Sequence, residues 1–240
     1  MLIGPQNLPL LEPLATNLGA LQQEISTGAR AAGRTEDSVT LIAVSKGHPG
    51  DAVRAAASLG LRDFGESYLQ EALPKIAGLR DLELRWHFIG RIQANKTRAI
   101  AEQFDWVHGI DRLHVAERLS AQRPHFAPPL QSCIQVNIDA EAGKAGVAPE
   151  AAAELAAAVQ GLPSLRLRGF MCILPEGRGA NADRRSFAAL RLLAQQTAER
   201  GIPLDTLSMG MSGDFQAAIA EGATMIRIGT ALFGPRKPAP

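Results

Sequence analysis

The chain is poor in cysteine, in tyrosine and in net charge, and each shortage narrows what it can be. Its two cysteines, Cys133 and Cys172, both fall inside predicted strands, with no metal-ligand spacing and no partner histidine cluster. We expect buried, reduced thiols there, not a zinc site or a structural disulfide. The formal net charge is +1, which leaves no electrostatic footprint for nucleic acid or for an anionic membrane. No apolar run reaches membrane-spanning length. The first thirty residues lack a charged segment followed by an apolar core, so no secretory signal is read there. We therefore expect a soluble, unsecreted, cytoplasmic protein. Tyr68 is the single tyrosine, a scarcity that bears on the chemistry below. Apolar residues are plentiful, at 46% of 240, enough to bury a sizeable core in one large domain or two small ones.

The apolar residues fall into two alternating patterns. Residues 8–32 read mostly as one helix, with Leu14, Leu18, Leu21 and Ile25 at spacings of four, three and four. Eight short strand signals follow, at 40–45, 62–65, 85–89, 106–110, 132–138, 166–173, 206–209 and 225–228. Helical segments lie between them: 51–59, one opening at Tyr68, a basic one over 91–104, and one ending at Leu119. An alanine-rich helix through Gln160, a long one over 184–200 and a short one over 214–221 complete the series. Strands alternating with helices imply a parallel sheet with right-handed crossovers. Eight repeats fit a closed (β/α)8 TIM barrel. The leading helix then takes the outer-ring place usually filled after the last strand. The competing open, doubly wound sheet would bind a dinucleotide at a glycine fingerprint. Gly177-Arg-Gly179-Ala-Asn-Ala182 has the right letters, but Pro175 and Glu176 separate it from its strand. Residues 1–234 are read as one barrel domain and 235–240 as a flexible tail.

Chemistry is expected where the ends of the barrel meet. Ser208-Met-Gly-Met-Ser212 follows strand seven and Gly229-Thr230 follows strand eight. Such turns offer free backbone N–H groups and can hold a phosphate, which barrel enzymes often bind after these two strands. In a closed barrel strand eight lies beside strand one. Lys46, ending strand one, then neighbours Arg227 and Gly229, with Ser208 one strand further. Period two puts Ile42, Val44 and Lys46 on one face. A lysine emerging from an apolar floor beside a cation should have a lowered pKa. As a neutral amine it can form a Schiff base with an aldehyde. An aldehyde carrying a phosphate would suit both features, and pyridoxal 5′-phosphate (PLP) is the ligand they suggest.

Seven motifs along nearly the whole chain carry a resemblance: "LIAVSKGHP", "DFGESYLQEALPKI", "WHFIGRIQANKTR", "FDWVHGIDR", "VNIDAEAGKAG", "LRGFMCILPE" and "LSMGMSGDFQAAIAEGATMIRIGTALFG". The sequence resembles the pyridoxal phosphate homeostasis proteins (the YggS/PROSC type), related in fold to the barrel domain of alanine racemase. The resemblance implies Lys46 as the Schiff-base lysine, Ser208, Gly229 and Thr230 as phosphate contacts, and Arg227 beside the pyridine nitrogen. The chain departs from the family at Ser67, where Asn is usual, which puts any ring hydrogen bond from this position in doubt. His87 is family-typical, but is read as a satisfied core histidine. Lys96 and Lys144 are read as solvated, and Met209 and Met211 as packing beneath the cofactor.

Three functions follow. The favoured one is a PLP carrier, buffer or regulator with little or no catalysis, a monomer that meets apo PLP-dependent enzymes transiently. An always-charged arginine cannot take the proton that makes the pyridine ring a strong electron sink. The alternative is an amino-acid racemase of the alanine racemase fold. It needs a second base on the opposite face of the substrate, a tyrosine from an appended domain, and Tyr68 opens a helix instead. The third, a phosphosugar enzyme without PLP, lacks an obvious acid/base carboxylate pair.

Overall fold

The short apolar runs become eight strands in the computed structural model, which describes residues 8–141 and 143–235. They are β1 Thr40–Val44, β2 Asp63–Glu66, β3 Arg85–Phe88, β4 Trp106–Ile110, β5 Leu130–Gln135, β6 Leu165–Met171, β7 Thr206–Ser208 and β8 Met225–Ile228. They pair in sequence order, all parallel, and close into a barrel. The helices are α1 Leu8–Ala31, α2 Gly50–Ser58, α3 Leu69–Gly78, α4 Thr97–Gln103, α5 Leu113–Gln122, α6 Pro149–Gln160, α7 Ala180–Glu199, α8 Phe215–Ala220 and the single turn α9 Thr230–Phe233. Of the tail expected at 235–240, all but Pro235 lies outside the described residues.

Strand alternation divides the core into two layers. Ile42, Trp106, Cys133, Met171 and Met225 point inward and form a cluster inside the barrel. Their neighbours in sequence, Ala43, Val107, Ile134, Phe170 and Ile226, join the larger layer between strands and helices. Helix α1 packs against α2, α8 and α9. Its Asn17 Nδ2 donates to the Leu232 carbonyl at 3.0 Å. The leading helix therefore fills the gap in the outer ring that the one-turn α9 leaves.

The largest departures from the sequence reading fall in three elements. The helix expected over 91–104 begins only at Thr97, after a 3-10 turn over Ala94–Lys96. Here side chains of the next unit take up backbone carbonyls: Arg112 donates to Ile92 O at 3.2 Å and Arg118 to Ala94 O at 3.0 Å. Strand β5 starts two residues early and ends at Gln135; beyond it Val136 still donates to Met171 O at 2.8 Å and also bridges Val147. Helix α7 starts at Ala180 rather than 184, directly after Gly179 at φ 83°. The glycine-rich segment is thus shorter than it reads.

Strands β6 and β7 approach closely at Gly169, opposite Thr206. A Cβ at Gly169 would overlap the Thr206 carbonyl, which is backbone and cannot swing away. We expect Gly169→Ala to lose more than about 3 kcal/mol in urea denaturation. Gly19, on the exposed face of α1 with open space around it, is the contrast. Gly19→Ala should gain roughly 0.5–1 kcal/mol. Equal stability of Gly169→Ala and the wild type would contradict this strand spacing.

Candidate functional site

The carboxyl rim of the barrel opens into a cavity of about 350 Å³. Strand β1 and its turn contribute Val44, Lys46 and His48, and β8 and its turn contribute Arg227, Gly229 and Thr230. The loop after β7 adds residues 211–214, while Ser67, Ile89 and Ile173 come from the ends of β2, β3 and β6. This is the face on which barrel folds build their sites.

Lys46 reaches the rim because β1 alternates: Ile42 and Val44 face inward, and Lys46 is next in that series. The residues on either side of it are fastened. Ser45 Oγ donates to Glu66 Oε1 at 2.7 Å, and Lys75 Nζ donates to Ser45 O at 2.8 Å. The Gly47 N–H donates to Glu71 Oε2 at 2.8 Å. Gly47 turns at φ 76°, a conformation that favours glycine. Lys75 also pairs with Glu66 at 2.7 Å, both side chains being almost wholly buried. Burial pushes the Glu66 carboxyl up, while Lys75 and Ser45 pull it back. Strand β2 and helix α3 thus clamp the turn that presents Lys46.

The two rim turns are tied to each other. The Arg227 N–H donates to Gly210 O at 2.9 Å, and the Ala231 N–H to Ser212 Oγ at 3.4 Å. Asp214 Oδ1 accepts from the Met211 N–H at 2.5 Å. Gly229 ends β8 beside β1, where a Cβ would come into ordinary contact with Val44.

Arg227 forms the floor of the cavity. It is 4% exposed. Nη1 donates to Ser208 Oγ and Nη2 to Cys172 O, each at 2.8 Å. Among the described residues no carboxylate lies within ion-pair distance of it. Burial pulls its pKa below the usual arginine value, from a starting point so high that it stays charged. Beneath it, Ser208 Oγ meets His108 Nδ1 at 2.8 Å, and His108 Nε2 meets His87 Nδ1 at 3.0 Å. His87 Nε2 meets Asp63 Oδ1 at 3.0 Å. Arg85 donates to both Asp63 oxygens, at 2.7 and 2.5 Å.

Lys46, Arg227, Gly229 and Thr230 are therefore brought together around one cavity, and Ser208 is set apart from them. Ser208 is fully buried and does not line the cavity. As the last residue of β7 it points inward one layer below the rim, where His108 and Arg227 take its hydroxyl. Ser212 and Gly213, further along the same turn, line the cavity instead. Sequence reasoning also missed Glu176, Asp183 and Asp214 on the cavity wall, and His108 beneath it. Met211 lines the cavity, whereas Met209 packs in the outer apolar layer. Lys96 and Lys144 do not line it, and Lys144 pairs with Glu141 at 2.7 Å. Tyr68 is 57% exposed and also stays outside the lining.

The family model for the alanine racemase N-terminal domain matches residues 16–237. A pyridoxal phosphate homeostasis protein of Pseudomonas aeruginosa is 55% identical over 94% of this chain and 97% of its own length. The chain belongs to the pyridoxal phosphate homeostasis protein family. Another member, from Escherichia coli, is 47% identical over 94% of this chain and 98% of its own. PipY of Synechococcus elongatus has been solved without PLP and with PLP bound. It matches with TM-scores of 0.83 and 0.81 at 39% and 38% identity, over 92% of this chain and all of its own. Alanine racemase from Corynebacterium glutamicum, at 19% identity and TM-score 0.65 over 92% of this chain and 62% of its own, shares the fold.

Asp63 links this polar core to acid stability. Burial alone would raise its pKa, but hydrogen bonds from His87 and Arg85 outweigh that and hold it at about 2, against an ordinary 3.8. A depressed carboxyl stabilises the fold above its unfolded value and loses that contribution as pH falls through the folded one. Asp63→Asn should thus cost about 2 kcal/mol at pH 5 and roughly half that at pH 3. Urea denaturation of both proteins at the two pH values measures the difference, and a gap that did not narrow on acidification would refute the linkage.

Proposed function

We propose that this chain binds PLP in the rim cavity, holds it as a Schiff base on Lys46, and serves intracellular PLP homeostasis as a carrier or buffer with little or no catalysis. The observation that carries the reading is the meeting of an amine, a guanidinium and a hydroxyl-bearing turn, Lys46, Arg227 and Thr230, around one cavity. The residues fit the group: a clamped lysine for an aldehyde, and glycine and hydroxyl turns for a phosphate. When bound, PLP supplies an aldehyde, which condenses with a primary amine and releases one water, and an electron-withdrawing ring.

In this reading Lys46 supplies the amine, and Gly229, Thr230, Ser212 and Gly213 hold the phosphate. Arg227 faces the pyridine nitrogen as a donor. Having no carboxylate partner and no tendency to give up its own proton, it leaves that nitrogen unprotonated and the ring a weak electron sink. A racemase would also need a base on the second face of its substrate, and Tyr68, exposed and outside the lining, is not one. The same proposal includes a monomer that hands its cofactor transiently to apo-enzymes. Relatives named as homeostasis proteins support the homeostasis role.

The test is chemical trapping. After incubation with PLP and borohydride, the peptide containing Lys46 should carry the reduced adduct, and Lys46→Ala should carry none. A label that persists on another lysine in Lys46→Ala would refute the assignment. Arg227→Glu should shift the visible spectrum of bound PLP toward the ring-protonated form. Alanine racemisation at roughly 1 per second or faster would overturn the carrier reading.

A further inference from the structure

Five polar side chains cross the barrel interior in one unbroken series, drawn from β2, β3, β4, β7 and β8. We infer that Asp63, His87, His108 and Ser208 form a one-way hydrogen-bond relay that positions Arg227, so that a carboxylate at the amino end of the barrel fixes the guanidinium facing the ligand at the carboxyl end. The functional meaning of the relay rests on the proposed PLP seat; its existence does not.

The direction follows from which groups can only donate and which can only accept. Arg227 has donors alone. Ionised Asp63 has acceptors alone, so His87 Nε2 must carry the proton across the 3.0 Å contact to Asp63 Oδ1. Both histidines are fully buried. Burial holds His87 below the ordinary histidine pKa, though Asp63 pulls the other way. Burial, with the charge of Arg227 beside it, holds His108 lower still. A neutral His87 protonated at Nε2 has a bare Nδ1. His108 Nε2 must therefore donate to it across 3.0 Å, which leaves His108 Nδ1 bare. Ser208 O–H then donates to that nitrogen at 2.8 Å, and its lone pairs accept Arg227 Nη1–H at 2.8 Å.

With neutral rings, the opposite polarity fails. It would set an unprotonated His87 Nε2 against the Asp63 carboxylate, two acceptors 3.0 Å apart, and leave the Ser208 proton without an acceptor in the series. The remaining competitor is an imidazolium at His87 paired with Asp63, which would reverse every link beyond it.

Arg227 is thereby held at two points, by the Ser208 oxygen at the end of the relay and by the Cys172 carbonyl at 2.8 Å. Two of its five N–H groups are fixed below the cavity, which sets the plane of the guanidinium and the direction of the rest. None of Asp63, His87, His108 and Ser208 lines the cavity, so they are positioning residues. His87 is held in turn by near-parallel stacking on Trp106, 13° between planes with centroids 5.5 Å apart. Arg85 secures Asp63 from outside with two hydrogen bonds.

The experiment reads both ends of the series. Long-range proton–nitrogen NMR on histidine-labelled protein at pH 7 should show His87 and His108 neutral, both protonated at Nε2. Asp63→Asn, whose amide can donate where the carboxylate could only accept, should disturb both signals, including that of His108, which Asp63 does not touch. The same variant should weaken PLP binding by about three- to tenfold. Ser208→Ala, a smaller change that keeps Asp63 and both rings, should weaken it comparably. Circular dichroism confirms that each variant is folded. A His87 imidazolium, or either ring protonated at Nδ1, would overturn the relay. So would normal PLP affinity in both folded variants. A wild-type protein that shows the expected tautomers but binds no PLP refutes the proposed function and leaves the relay standing.

Discussion

Strand β8 lies parallel to β1, with Arg227 opposite Ile42 and Ile228 opposite Ala43. This seam closes the barrel, and the rim depends on it. Lys46 stands two residues past β1 and Thr230 two past β8, nearly two hundred residues apart in the chain. Only closure makes them neighbours. The seam also sets depth: β8 places Arg227 one inward pleat below the Gly229 turn, so the guanidinium lies beneath the amine and the hydroxyl and not beside them.

Rigidity at the rim comes from the layer outside the strands. Glu66 and Lys75 are a buried pair, and pairs of this kind contribute little net stability because both charges lose water. Their effect here is positional. Lys75 holds the Ser45 carbonyl, Glu66 holds the Ser45 hydroxyl, and Glu71 holds the Gly47 N–H. The turn on each side of Lys46 is anchored, while the lysine side chain itself enters the cavity.

The barrel was legible because alternation of period two and period 3.6 survives along the chain, and because eight such repeats have few ways to bury both strand faces. Lys46 facing Arg227 was legible by the same parity once closure was assumed. Ser208 shows where that reasoning stops. One pleat decides whether a strand-end hydroxyl joins the rim or the layer below, and strand ends are read no better than that from sequence. Asp63, His87 and His108 look like isolated polar residues in three separate strands. Their contact depends on barrel layers, which no single segment encodes. Arg112 and Arg118 delayed α4 through contacts equally remote in sequence, and a local pattern could not have announced them.

The distribution of charge inside the barrel gives the two ends unequal character. Asp63 at the amino end is neutralised by Arg85. Arg227 at the carboxyl end gives side-chain hydrogen bonds to a hydroxyl and a carbonyl, and the two imidazoles of the inferred relay connect the two ends. A buried cation with dipolar partners is incompletely compensated, and the open side of Arg227 faces the cavity. The floor therefore favours an electron-rich ligand atom. A ring nitrogen that keeps its lone pair accepts a hydrogen bond from the guanidinium, whereas a protonated one would place two positive charges in contact. The inferred relay would strengthen that preference: a carboxylate in direct contact would neutralise Arg227, but one working through Ser208, His108 and His87 would orient the guanidinium and leave its charge directed at the proposed ligand. A site built this way would hold an electron-rich ring firmly and do little to stabilise carbanions on it, which is the division of labour that the proposed storage of a reactive cofactor asks for.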